Sequence, residues 1–165
     1  MVTGGFRFIP DKSDNGKWTT SLEVRWKRFG LGVDYRPLTQ KLGPIASIRL
    51  LDETKYRPAV VIGTGPDQFG SVHSQAYFAT VSKRISVPWG VGISPFIGFG
   101  YIQELDDPER FIRGVIVRKG DYSAQLYHNG FTTHFVASID LFDHHTLSFV
   151  YWGLDQPGFS YTLRF

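Results

Sequence analysis

The chain has 165 residues, of which 42% are hydrophobic and 16% aromatic, with 18 glycines, no cysteine and a formal net charge of +3; its mean hydropathy is −0.15 and its pI near 9.2. That apolar content excludes intrinsic disorder, the lack of any apolar run of about 18 residues excludes a transmembrane helix, and the scattered, mild basicity offers no stripe for nucleic acid. The lack of cysteine excludes a disulfide scaffold, a thiolate zinc site and a cysteine nucleophile, and the length suits one domain over 1–165.

Period-two alternation dominates from one end to the other. Met1 is followed directly by Val-Thr-Gly-Gly, with neither a basic nor an apolar leader, so an exported protein would carry this sequence after removal of its signal peptide. Residues 3–9 are a weak strand, and "PDKSDNGK" (10–17) is a turn signal. In 18–26, Trp18, Leu22, Val24 and Trp26 oppose Thr19, Ser21, Glu23 and Arg25; in 29–36, Phe29, Leu31, Val33 and Tyr35 oppose Gly30, Gly32, Asp34 and Arg36. A weak strand at 58–63 follows "PLTQKLGP" (37–44) and "DETKYRP" (52–58), and "GTGPDQFG" (63–70) is a strand-to-strand loop that lacks the Gly-Lys-Ser/Thr ending of a phosphate loop.

The stretch 89–101 puts Trp89, Val91, Ile93, Ile97, Phe99 and Tyr101 on one face and Gly90, Gly92, Ser94, Gly98 and Gly100 on the other. Beyond "ELDDPE" (104–109) and "KGD" (119–121), Tyr122, Ala124 and Leu126 alternate with Ser123, Gln125 and Tyr127. Phe135, Ala137 and Ile139 alternate with His134, Val136 and Ser138; Leu147, Phe149 and Tyr151 with Thr146, Ser148 and Val150. The chain closes on Phe159, Tyr161, Leu163 and Phe165 against Gly158, Ser160, Thr162 and Arg164. Gly, Pro, Asn and Asp punctuate these runs for the backbone reasons that favour turns. The count is about twelve antiparallel strands in an up-and-down meander, or ten without the two weak ones.

Alternation fits a soluble barrel with its apolar face inside, or a transmembrane barrel with that face on lipid. Three features favour the membrane. Apolar faces begin and end in aromatics, as two interfacial belts require. Opposite faces carry glycine and hydroxyls where a water-exposed strand would carry charge. Many strands are about nine residues long, enough to cross a bilayer at a tilt. The expectation is an all-β, antiparallel transmembrane β-barrel of the bacterial outer membrane, its partners the lipid bilayer, the barrel-assembly machinery during biogenesis and other envelope proteins, with no nucleic acid and no cofactor. The belt and lipid-facing set is Trp18, Trp26, Phe29, Tyr35, Trp89, Tyr101, Tyr122, Tyr151, Phe159, Tyr161 and Phe165.

A further likeness lies in "IRLLDETKYRP" (48–58) and "AVVIGTGPDQFGSVHSQAYFATVSKR" (59–84). Through Asp52, Glu53, Tyr56, Pro58, Gly63, Asp67, Gly70, Tyr77, Ser82, Lys83 and Arg84 it resembles the YjbH-type outer-membrane β-barrel proteins associated with exopolysaccharide and capsule export. Members of that family are several times longer, so the resemblance is that of a minimal or partial relative. The C-terminal strand also resembles the signal by which outer-membrane proteins are recognised for barrel assembly. The resemblance implies a pore or accessory barrel for polysaccharide or solute passage.

Lumen-lining candidates are Glu23, Arg25, Asp34, Arg36, Arg49, Arg113, Gln125, His134 and Arg164. Glu23/Arg25 and Asp34/Arg36 look like mutually neutralising pairs, whereas Arg49, Arg113 and Arg164 lack an obvious acidic neighbour. No catalytic, cofactor or metal residues are assigned. His73 and Ser74 fall on opposite faces, His134 and Ser138 are two side-chain steps apart, and His144-His145 occupy a turn without supporting ligand spacing. The alternatives are a closed structural or partner-binding barrel in an envelope complex, a lipid-modifying barrel enzyme, and a soluble ligand-binding barrel. Short loops argue against a receptor, and against any loop folded into the lumen.

Overall fold

A computed structural model describes residues 1–12, 14–66, 75–102 and 109–165. Within them lie β1 (Val2–Phe8), the short α1 (Asp14–Lys17), β2 (Trp18–Trp26), β3 (Phe29–Arg36), β4 (Lys41–Leu51), β5 (Ala59–Gly65) and β6 (Ala76–Ser82). The order continues through β7 (Ile85–Val87), β8 (Val91–Ile102), β9 (Glu109–Lys119), β10 (Tyr122–His128), β11 (Thr133–Leu141), β12 (His145–Trp152) and β13 (Gln156–Arg164). No described helix is long and apolar enough to cross a membrane.

Sequential neighbours pair antiparallel, except β6 and β7, and two further contacts close the ring. β1 pairs with β13, from Thr3 opposite Arg164 to Phe8 opposite Phe159. β6 pairs with β8, from Ala76 opposite Ile102 to Ser82 opposite Phe96. β7 continues along the same edge of β8, with Ile85 opposite Ile93. β6 and β7 are therefore one strand interrupted at Lys83-Arg84, and the closed barrel has twelve staves. Both weakly patterned segments, 3–9 and 58–63, are staves of it.

Closure explains how such short strands hold together: among the described residues every stave has a neighbour on both sides, with only the short β7 segment paired on one. Backbone bonds between Val2 and Phe165 seal the seam at 3.1 and 2.8 Å. Glycines sit where staves approach closely. A Cβ on Gly32 would lie 2.3 Å from the Leu22 carbonyl oxygen, and one on Gly98 2.2 Å from that of Ala79. β4 carries a register shift between Arg49 and Leu51, a bulge of the kind found at barrel rims.

The termini share one end with the connections at 27–28, 52–58, 83–90, 120–121 and 142–144; we call this the termini end. The connections at 9–17, 37–40, 129–132 and 153–155 belong to the far end. The interior is not the uniformly polar, glycine-lined space expected from the alternation. Two apolar clusters occupy it: Ala76, Ile102 and Ile112 with Phe78 and Phe96, and Ile9, Val150 and Trp152 with Val136. In β8, β9, β11 and β12 both faces hold apolar residues, so alternation there contrasts small with large more than polar with apolar.

Candidate functional site: the lumen and its two mouths

Register and burial separate the walls. The outer wall of the staves presents Leu22, Leu31, Ile62, Ile97, Phe99, Leu126, Leu147 and Phe149, all exposed. The outward alternation includes three charged side chains among the described strands: Glu109, Arg113 and Lys119. Glu109 and Lys119 cap the two ends of β9. The inward alternation carries Arg7, Arg25, Arg36, Lys41, Arg49, Arg110, Arg118 and Arg164 against Glu23, Asp34 and Asp140. Charge is therefore concentrated on the inner wall, and that wall is cationic.

Exposed aromatics edge the outer wall. Trp18, Tyr35, Tyr77 and Tyr101 stand toward the far end, and Trp26, Phe29, Tyr122 and Phe165 at the termini end. Tyr151 stacks on Phe149 on the outer face of β12. Phe159 joins Phe6, Phe8 and Trp18 in an outer-wall cluster with centroid separations of 4.5–6.0 Å. Tyr161 is outward beside His145, and Leu163 is half-buried. Trp89 lies outside any strand: it occupies the connection before β8 in a left-handed conformation (φ 65°), 86% exposed.

At the far end the lumen is packed with side chains. Asp34 and Arg36, each 5% exposed, pair at 3.3 Å, and Arg36 also donates to the Pro66 carbonyl at 2.9 Å. His134 is fully buried and ties two connections together. Its Nδ1 accepts the Gly153 N–H at 3.0 Å, and its Nε2 lies 2.9 Å from Asn129 Nδ2 and 3.0 Å from Thr132 Oγ1. The Trp152 ring packs against the His134 ring at a tilt, with centroids 4.0 Å apart. Residues 9–12, after β1, enter this mouth, contrary to the expectation that no loop would. Ile9 is buried against Val150 and Trp152, and the Lys12 ammonium sits 3.6 Å from the Trp152 ring. Burial lowers the Lys12 pKa to about 7, helped by the nearby Arg7 and Arg36 charges.

Below this packing is a cavity of about 350 Å³. Arg7, Asp34, Gln125 and Tyr127 line it from one side; Ile45, Phe78, Phe96 and Ile112 line it from the other. Toward the termini end, inward side chains become accessible. Glu23 and Arg25 pair at 2.7 Å with the arginine 57% exposed. Arg164 reaches Asp140 at 2.9 Å and Thr146 at 2.6 Å. The lumen is thus a vestibule at the termini end and a plug of side chains at the far end.

Three expectations about arginine need correction. Arg113 does not line the lumen: it lies opposite Ile97 and His128 on the outer wall, 6.0 Å from the Phe111 ring. The reason is phase: "ERFIRGVIVRK" has arginine and apolar residues on both alternations, and the partners of β9 decide which faces out. Arg49 and Arg164 do have acidic neighbours, Asp52 at 3.7 Å and Asp140. Asp52 stands three residues on, in the turn after β4, whereas Asp140 comes from a strand distant in sequence, which spacing alone does not reveal.

The "DETKYRP" and "SKR" segments meet at the termini end. Lys83 Nζ donates to the Thr54, Lys55 and Arg57 carbonyls and lies 3.8 Å from Glu53. Glu53 also accepts the Arg84 N–H at 2.8 Å, and Asp52 pairs with Arg28. This braced connection holds Tyr56 out at its tip, 87% exposed. Asp67, Gly70, His73 and Ser74 lie outside the described residues. Among the described residues His134 has no serine partner, and the Ser138 hydroxyl bonds that of Ser148 at 2.8 Å. Comparisons with protein-family models, with curated proteins and with solved structures return no match.

Proposed function

We propose that the chain is a β-barrel of the bacterial outer membrane, of the pore or pore-accessory kind, serving passage of anionic, hydroxylated solutes. One observation carries the reading: the staves hide eight cations and three carboxylates inside and show an apolar, aromatic-edged wall outside. In water that wall would be an aggregation surface; against hydrocarbon it is the solvated one. An aqueous vestibule lined by arginines raises the local concentration of anions. The resemblance of 48–84 to YjbH-type proteins supports an acidic exopolysaccharide as the solute.

Reconstitution in planar bilayers tests this. A conductance that favours chloride over potassium is expected, and its selectivity should fall several-fold in Arg49→Gln/Arg118→Gln. Arg113→Gln should leave it unchanged, because that side chain is on the outer wall. A well-folded preparation without conductance overturns the pore reading. The packed far mouth, with Ile9, His134 and Trp152 buried in it, favours a second reading: a closed barrel that binds an envelope partner. That barrel would co-purify with its partner.

A further inference from the structure

The termini end is more basic than the molecule as a whole. Its connections, the four strand residues beside each, and the first four residues of β1 and last four of β13 carry eleven Lys and Arg against six Asp and Glu, in a chain whose totals are eighteen and fifteen. All of these residues are described, so the imbalance is complete on that face. The same face carries large aromatics on the tips of three connections: Tyr56 at 87% exposure, Trp89 at 86% and Phe142 at 87%. Trp89 and Phe142 are held outward by left-handed backbone (φ 65° and 52°), a conformation a bulky residue adopts at a cost. Lysines accompany the aromatics. Lys55 lies 5.4 Å from the Tyr56 ring and Lys27 4.9 Å from the Trp26 ring, while Lys119 and Tyr122 border one cleft with Trp89.

We infer that this rim is a docking surface for the anionic headgroups of a phospholipid leaflet. The inference rests on the transmembrane reading above. Amphipathic rings with cations beside them are the pairing that suits a headgroup layer: the ring sits at the boundary and the ammonium meets phosphate. The tips are continuous with the Trp26, Phe29, Tyr122 and Phe165 girdle, so the rim extends a surface that already meets lipid. Barrels of this kind turn their short connections to the periplasm, and both two-residue connections among the described residues, 27–28 and 120–121, lie at this end. The leaflet engaged is therefore the inner one. A basic side chain near an anionic surface contributes about 1 kcal/mol, a factor of about five in lipid association, and the effect fades beyond a Debye length of about 10 Å.

The experiment uses the full chain folded into phosphatidylcholine vesicles with phosphatidylglycerol added. Energy transfer from the protein's tryptophans to pyrene-labelled phosphatidylglycerol is compared with transfer to pyrene-labelled phosphatidylcholine. We expect a several-fold enrichment of the anionic lipid that declines with salt and is largely lost in Lys27→Gln/Lys55→Gln/Lys119→Gln. Among the described residues those ammonium groups make no ion pair or hydrogen bond, so the variant keeps the braced connection at 52–58. Equal transfer to the two lipids in an inserted, heat-modifiable barrel overturns the inference and leaves the transmembrane reading standing. A preference kept by the triple variant and abolished by Arg113→Gln also overturns it, by moving the contact to the outer wall. Salt-dependent capture of an acidic protein without lipid preference overturns it in favour of a protein partner. If the chain inserts into neither vesicle, the transmembrane reading itself fails.

Discussion

Lys12 shows how a single side chain reports on the far mouth. Its ammonium rests on the Trp152 ring while Arg7 and Arg36 crowd it. The ring favours the cation by cation–π attraction; burial and like charge oppose it and win, leaving a pKa of about 7. The unfolded chain keeps the ordinary lysine value of about 10.4, so between these limits the unfolded state binds more protons and stability rises with pH. Below about pH 7 the penalty for the charged form is fully present. Lys12→Met should therefore stabilise the barrel by about 1–3 kcal/mol near neutrality, and the gain should vanish above the unfolded value. Urea titrations in detergent across that window read it directly; a pH-independent gain would mean that Lys12 is not the titrating group.

His134 acts at the same scale but through geometry. Its ring joins the 129–132 and 153–155 connections, and its removal leaves Asn129 and the Gly153 N–H without their partner. Losing a buried partner of this kind costs about 1–3 kcal/mol, and the vacated space adds to it. His134→Ala should lower the unfolding midpoint accordingly, whereas a catalytic histidine would cost activity with little loss of stability. An unchanged midpoint would remove the clamp assignment.

Among the elements, the interrupted stave and β9 mark how far sequence reasoning reaches. The strands 18–26, 29–36 and 122–127 are legible because large apolar residues alternate with polar or glycine ones. Their paired faces emerge on the walls of a barrel whose twelve staves match the count made from alternation. β9 is illegible in phase for the reason that misplaces Arg113. The Phe78, Phe96 and Ile112 cluster escapes notice because an apolar side chain on the minority face looks like noise until its partners from other staves converge on it. The Arg164–Asp140 pair escapes for a related reason: contacts between strands depend on register, which turn signals do not specify to the residue. Alternation reads 89–101 as one strand that starts at Trp89, and does not show that a turn over 88–90 puts Trp89 on its crest.

On the scale of the whole molecule, charge is sorted twice: inward from the wall, and toward the termini end. The first sorting makes a sharp prediction. Leu31 is 64% exposed on the outer wall, the third of the eight residues of β3. Leu31→Arg should destabilise the membrane-inserted barrel by about 2–4 kcal/mol if it lies at the bilayer midplane, measured by reversible urea unfolding in vesicles. In a water-soluble barrel the same change would be harmless or would improve solubility, so the sign of the effect separates the two environments.

The seam between β1 and β13 has a kinetic consequence. Thr3 finds Arg164, so the ring closes only through the longest-range contacts available to the chain. Until it does, eleven hairpin junctions leave a curled sheet with two raw edges, each able to template another molecule. Such contact order makes folding slow, and partially made sheets are the species that aggregate. The chain is committed only at its final pairing, so a helper that shields the β1 edge until β13 arrives would change yield and rate without altering the finished barrel.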